Sequence, residues 1–230
     1  RPPMKRSIPW SRLAAEAVVV VGSILLAFAI DAAWDRYRML EEEREVLLAV
    51  QQELQEVGVV IGATRDSTRL ARVNLSFFLE SAPDEIAAVP ASEIQDRLYS
   101  PLIRQWGAAI PRGALDAATG SGQLAGVRDP TLRAALARLS SRHAHVDEIR
   151  RVIGELDIAT AAVLGEFDGM RLGGFSQVGP ETLGAVRRDP RIKGAASAKH
   201  AFLGGSLGIL AELEASVDET LDLIEAAVER

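Results

Sequence analysis

The histidines and the acidic residues near them are the sequence's nearest approach to a metal-binding motif. His143 and His145 flank Ala144, and Asp147 and Glu148 follow closely. Residues two apart on a helix point roughly 160° away from one another, so the two histidines cannot coordinate the same metal ion. His143 and Asp147 share a helix face, but two ligands without a third are typical of a surface pair. We therefore predict no metal site.

The rest of the sequence carries no catalytic motif. His200 is solitary and is interpreted as a satisfied structural or surface residue. The sequence has no cysteine, which excludes a disulfide and a thiolate nucleophile. Nucleophile elbow, P-loop and dinucleotide-binding patterns are missing as well. We predict a protein that is not an enzyme and has no catalytic residue, no cofactor and no small-molecule ligand.

The amino-acid composition indicates which type of secondary structure the chain forms. Ala, Leu, Val, Glu and Arg dominate, and aromatic residues make up only 5% of the chain. This bias favours helices over sheets, so the fold class is predicted to be all-α. The formal charge of −6 is spread in mixed-sign stretches. No basic stripe is available for a nucleic acid, which we exclude as a partner.

An apolar segment at residues 13–34 is predicted to be a transmembrane helix, with the lipid bilayer as a partner. Residues 17–30 carry no charge. Trp10 and Trp34 would lie about 36 Å apart along a helix, which fits the two aromatic belts around a hydrocarbon core about 30 Å thick. Together with Arg12 they are the predicted membrane-interface anchors.

Positive charge predicts the orientation of this helix. Four cations precede the segment, namely Arg1, Lys5, Arg6 and Arg12, whereas Arg36 and Arg38 follow it among acidic residues. The Lys/Arg excess favours a cytoplasmic N-terminus. Residues 1–12 are thus predicted to be a cytoplasmic basic tail in a bacterial inner membrane, with the C-terminal domain in the periplasm.

A cleavable signal peptide is the main alternative to a membrane anchor. Ala27-Phe28-Ala29 resembles a small-x-small cleavage site after an apolar run. The chain retains the segment, and we expect an uncleaved anchor.

Glu16, Ser23 and Ala27 are candidates for contacts with another transmembrane helix. An acidic residue just inside the span is costly to bury. We favour the interpretation that Glu16 snorkels to the interface or pairs with Arg12. The alternative is a specific interhelical contact. Ser23 and Ala27 form a small-x-x-x-small pair that would let a second helix approach closely.

Helical periodicity continues beyond the span, where apolar residues three or four apart form a seam from Leu40 to Ile61. It predicts one helix from about Ser11 to Leu79, in which residues 35–80 form a long extramembrane helix. A second apolar seam, from Leu203 to Val228, is predicted to pack against another helix. Residues 81–230 are predicted to be a helical bundle domain that packs on it. Its helices are expected at 92–106, from Asp129-Pro130 to about Met170, at 180–188 and from Asp189-Pro190 to the C-terminus.

The predicted architecture is one N-terminal transmembrane helix continuous with an antiparallel helical bundle. Gly120, Gly122 and Gly126 suggest tight packing between a helix and a loop. The two Asp-Pro helix starts lie 60 residues apart. We interpret them as one capping device used twice, with duplication of a helix pair as the alternative.

Three short patterns carry a resemblance to a known group of proteins. They are the anchor ending in Asp31 and Trp34 with its charged continuation, the Ala-x-x-x-Ser-Gly-x-Leu element at 117–124, and the Asp-Pro-x-Leu element at 129–132. The chain resembles a widespread group of uncharacterised bacterial single-pass membrane proteins. The resemblance implies the topology and the helical fold, and it implies no activity or site residue.

Two classes of function fit these features. We expect a non-catalytic structural or accessory subunit of a larger inner-membrane complex, which has other membrane-protein subunits as partners. Respiratory and photosynthetic complexes are candidate hosts. The alternative is a membrane-anchored periplasmic sensor or ligand-binding module. This alternative is less favoured because the sequence shows no second span and no cytoplasmic effector that would transmit a signal.

Overall fold

A computed structural model describes residues 10–104, 107, 109–167 and 180–229, without the side chains of residues 10–17, 91 and 180. Every regular element in these ranges is a helix, and none of the described residues forms a strand. The predicted all-α class is therefore confirmed. The chain divides into two compact units, Arg1–Val46 and Leu47–Arg230.

The first helix, α1, extends from Trp10 to Glu80. The sequence predicts the same continuous helix to within one residue at each end. No proline interrupts it, and most of its residues are good helix formers. Pro83 lies just beyond its end. The residue before a proline is restricted to extended conformations, and Ala82 accordingly has φ −68° and ψ 155°.

The second unit contains the end of α1 and all later helices. These are α2 (Pro83–Ala87), α3 (Ala91–Ile94), a π-helical turn (Gln95–Tyr99), α4 (Ser100–Ile103), α5 (Gly113–Gly120), a 3-10 turn (Gln123–Gly126), α6 (Pro130–Leu164), α7 (Pro180–Arg188) and α8 (Pro190–Val228). The continuous stretch from α3 to α4 corresponds to the helix predicted at 92–106. The short helices α2 and α5 are not predicted by the sequence.

Aspartate caps begin the two long helices of this unit, as the sequence predicts. The Asp129 carboxylate accepts from the backbone N–H groups of Thr131 at 2.8 Å and Leu132 at 3.3 Å. Asp189 accepts from the N–H of Arg191 at 2.8 Å. Such caps satisfy N–H groups that have no partner within the helix. Helix α6 ends at Leu164, six residues before Met170, because Gly165 is a poor helix former.

The expectation of tight packing at three glycines is wrong. A Cβ added at Gly120, Gly122 or Gly126 would meet no atom within 4 Å. Gly122 instead has a φ of +78° at the start of the 3-10 turn. Its backbone conformation, rather than a close approach, requires glycine there.

Apolar seams of α1, α6 and α8 form the core of the second unit. The seams predicted on α1 and α8 are confirmed as buried over most of their length. The fully buried side chains include Leu54 and Ile61 of α1, Leu136 and Ile153 of α6, and Leu203 and Leu210 of α8. The spacing of three and four residues thus identifies the faces that pack together.

Polar contacts fix these helices against one another. Helix α6 contacts α8 through the ion pairs Arg138–Glu219 at 2.7 Å and Asp157–Lys199. Glu166, two residues beyond the end of α6, pairs with Arg191 of α8 at 2.7 Å. Helix α1 contacts α8 through the Arg65–Glu214 ion pair and the 3.0 Å contact of Ser76 with His200. The Glu53 carboxylate of α1 accepts from the N–H groups of Ala114 and Leu115 at the start of α5, at 2.6 and 3.2 Å.

Candidate functional site

The apolar segment of the first unit is an exposed helix. Its large hydrophobic side chains between Val18 and Met39 are 50% to 71% exposed. Among the described residues, this helix alone is long and apolar enough to cross a membrane. An apolar surface of this extent is typical of a segment that lipid or another protein covers.

The predicted anchor and contact residues lie along this helix. Trp10, Arg12 and Glu16 belong to α1, but their side chains lie outside the described residues. The Ser23 hydroxyl donates to the Val19 carbonyl at 2.8 Å, so its polar atom is satisfied within the helix. Ala27 is exposed one turn later on the same face.

Trp34, the second predicted interface anchor, stacks on Tyr37. The ring centroids are 6.0 Å apart and the planes differ by 28°. Both side chains remain more than half exposed. Such amphipathic rings are common at the level of lipid headgroups.

His143 is buried, so its interpretation as part of a surface pair is wrong. Only 2% of the residue is exposed, and neither ring nitrogen has a partner among the described residues. Asp147 instead pairs with Arg112 of the loop before α5, at 3.0 Å. No three His, Asp or Glu side chains in the described ranges lie close enough together to hold a metal ion.

The surroundings of His143 favour its neutral form. Burial lowers the pKa of His143 and the Arg112 guanidinium lowers it further, while the charges of Asp147, Glu53 and Asp116 act in the opposite direction. A neutral imidazole is easier to bury than a charged one. His200, in contrast to His143, has a polar contact, since the Ser76 hydroxyl lies 3.0 Å from its Nε2.

A cleft of about 350 Å³ lies between α1, the α3–α4 stretch and α8. We call it the Lys199 cleft, because this buried lysine lines it. Its other charged residues are Asp96 and Arg104, and its uncharged polar residues are Ser67, Asn74 and Ser100. The apolar part of the lining includes Leu70, Pro101 and Leu203.

Lys199 is held by two acceptors inside the second unit. Its ammonium donates to the Asp157 carboxylate of α6 and to the Arg104 carbonyl at 3.1 Å. Burial lowers the pKa of Lys199 and raises that of Asp157, while the opposite charge of each partner works against both shifts. Two charges taken out of water are tolerated here because each neutralises the other.

Gly107 lines the same cleft in a conformation that only glycine adopts easily. It has a φ of +61°, and a Cβ at this position would lie 2.6 Å from Cγ2 of the buried Thr64. The chain can therefore pass close to α1 after Arg104 only with a glycine here.

A second cleft, of about 480 Å³, is lined by Arg187, Arg188 and Lys193 between α2, α7 and α8. Arg187 donates to the Phe78 carbonyl at 3.1 Å and to the Ser81 carbonyl. Those carbonyls lie at the end of α1, where helices lack internal donors. The arginine therefore secures the end of α1, a structural role.

No family model, curated protein or solved structure matches this chain. The resemblance to bacterial single-pass membrane proteins thus stays a prediction.

The sequence interpretation missed Lys199 and Asp157, although a signal was present. Asp157 continues the helical spacing of the buried residues Ile153, Thr160 and Leu164 on α6. Lys199 does the same among Ile192, Ala196 and Leu203 on α8. A charged residue on an apolar seam predicts a buried partner of opposite sign, since unpaired charges are rarely buried.

Proposed function

We propose that the protein is a non-catalytic accessory subunit of a larger bacterial inner-membrane complex, anchored by the apolar segment of α1. The observation that carries the proposal is the exposure of this segment, on which every large hydrophobic side chain from Val18 to Ile30 is at least half exposed. A bilayer covers such a surface at no cost in hydrogen bonds, because a helix satisfies its own backbone. Another membrane subunit covers the part of this apolar surface that lipid does not contact.

The proposed topology has residues 1–12 in the cytoplasm, a span at 13–34 and an antiparallel helical bundle in the periplasm. The Lys/Arg excess before the span supports the orientation. The order of contacts supports the antiparallel arrangement of α6 and α8. Arg138 and Asp157 of α6, and Glu166 just after it, pair with Glu219, Lys199 and Arg191 of α8, so the residue number falls on one helix as it rises on the other.

A structural role is supported by what the buried or half-buried polar groups do. Glu53 caps α5, and Asp129 caps α6. Arg187 secures the end of α1. Asp157 and Lys199 join α6 to α8. Each of these groups holds helices together, and none is paired with a second group in the manner of a nucleophile and its base.

Native purification tests the accessory role. The full chain, tagged at its C-terminus and expressed at its natural level, is extracted in a gentle detergent and separated by size. Mass spectrometry then identifies the co-purifying chains, and absorption spectroscopy detects any pigment or haem. We expect a large complex of fixed stoichiometry, and the identity of its subunits names the process. Recovery of only a monomer or homodimer would refute the proposal.

A further inference from the structure

We propose that the Lys199 cleft binds a small organic monocarboxylate with a short apolar body. This function is independent of the accessory role. It also replaces the sequence-based expectation that no small molecule is bound. The inference rests on the donors, charges and size of the cleft.

The Lys199 ammonium has a donor to spare. A lysine ammonium carries three N–H bonds. Asp157 and the Arg104 carbonyl accept two of them, and no other acceptor among the described residues contacts the nitrogen. Because the residue is only 2% exposed, a ligand oxygen that accepts the third bond would be largely shielded from water. Hydrogen bonds to charged groups are strongest in such surroundings.

The charge that an incoming carboxylate requires comes from Arg104. Asp157 already balances Lys199, so this pair has no net charge to offer. Arg104 lines the cleft, is exposed, and forms no ion pair with a described carboxylate. Asp96 lines the cleft too and disfavours ligands with several negative charges. A single carboxylate is thus the best match to the charged groups.

The remaining lining sets the size and polarity of the ligand. A volume of about 350 Å³ is at the lower end of the range for small-molecule sites. Leu70, which is 62% exposed, lines it together with Pro101 and Leu203, and these residues provide an apolar surface. Asp96 belongs to the π-helical turn and Ser100 follows it. Single π-helical turns are frequent at functional sites.

The lysine composition permits a direct test. The chain has only three lysines, Lys5, Lys193 and Lys199. The full chain is labelled with ¹³C at the lysine ε-carbons, placed in detergent micelles and titrated with the sodium salts of C2 to C8 aliphatic monocarboxylates at constant ionic strength. We expect a saturable shift of the Lys199 signal. The signals of Lys5 and Lys193 serve as internal controls and stay in place.

Three comparisons make the result specific. Lys5→Arg and Lys193→Arg each remove one signal, so the signal that remains in both variants is that of Lys199. The neutral amides of the same acids are expected to cause no shift. Arg104→Met should weaken carboxylate binding about tenfold through the loss of a charged partner, whereas Arg133→Met, an exposed arginine outside the cleft, should leave it unchanged. A Lys199 signal that none of the carboxylates moves, or that amides move equally, would overturn the proposal.

Discussion

The Lys199 ammonium of α8 and the Asp157 carboxylate of α6 form an ion pair that is almost removed from solvent, with 3% and 6% of the two side chains exposed. One carboxylate oxygen, Oδ2 of Asp157, has no partner among the described residues. Removing two charges from water is expensive, and their mutual attraction offsets this only while both are present. The pair therefore holds α6 and α8 in register as a unit.

Removal of one partner should destabilise the protein more than removal of both. Lys199→Met leaves a buried carboxylate without its counter-ion, and we expect the free energy of unfolding to fall by about 3–5 kcal/mol. The double variant Lys199→Met with Asp157→Leu should recover most of this loss. Urea unfolding of the full chain in detergent, followed by circular dichroism, measures both.

Lys193→Met is the matched control for this experiment. It removes the same ammonium from the same helix at an exposed position, so it should change the unfolding free energy by no more than about 0.5 kcal/mol. Equal losses in the single and the double variant would contradict the interpretation of the pair as a mutually compensating unit.

His143 should make the stability depend on pH below neutrality. Its pKa is lower in the folded chain than in the unfolded chain, mainly through burial. As pH falls through the pKa of the unfolded histidine, the unfolded chain binds a proton that the folded chain does not, and stability is lost until the pH reaches the pKa of the folded state. One proton contributes at most about 1.4 kcal/mol per pH unit.

The variant His143→Leu should flatten this dependence between pH 7 and pH 5. It should also raise stability at pH 7, because it replaces two ring nitrogens without described partners by an apolar side chain of similar size. His145→Leu changes the same residue type at an exposed position two residues away, and it should keep the wild-type slope. The measurement is the urea midpoint at each pH, and identical slopes in all three proteins would show that His143 is not the titrating group.

Glycine is required at positions 107 and 122 for different reasons. Both have positive φ, at +61° and +78°. Only at Gly107 would a Cβ collide with a neighbour, at 2.6 Å from Cγ2 of Thr64. Thr64 is buried and β-branched, so its side chain cannot easily turn away.

Substitution by alanine should therefore have unequal effects at these positions. Gly122→Ala carries the backbone strain alone, about 1 kcal/mol, whereas Gly107→Ala adds a steric clash and should lose about 2–4 kcal/mol in urea unfolding. Thr64→Ser removes the clashing methyl group and should partly rescue Gly107→Ala. Equal losses in the two alanine variants would show that contact with Thr64 is not what requires glycine at position 107.

Periodic and capping signals in the sequence predict most helices of this fold. The seam from Leu47 to Ile61 and the Asp-Pro starts at 129 and 189 depend on neighbouring residues alone, and the structure confirms them. The sequence predicts the end of α6 at about Met170, which is too late, since the helix ends at Leu164 before Gly165. The sequence does not predict the short helix α5, because its start is capped by Glu53 from a distant part of the chain.

The site is harder to predict because it depends on contacts between residues that are distant in sequence. The sequence predicts His143 in a surface pair, because it shares a helix face with Asp147 and no third ligand is present. In the folded chain His143 is buried, and the charges of Glu53 in α1 and Asp116 in α5 act on it. The Lys199 cleft combines residues from three segments that are distant in sequence. No local pattern indicates that the Arg104 carbonyl and Asp157 meet one ammonium. Contacts of this kind arise only when helices pack.

The face of the membrane segment that carries Ser23 and Ala27 should mediate association with another transmembrane helix. Small residues there permit close approach of two backbones. Ala27→Leu would hold the partner away, and we expect less of the large complex in native purification. Ala29→Leu makes the same change on the opposite side of the helix, since residues two apart point roughly 160° away from one another. It should therefore leave the complex intact. Equal loss in both variants would indicate a general effect on insertion, and no loss in either would place the contact elsewhere on the protein.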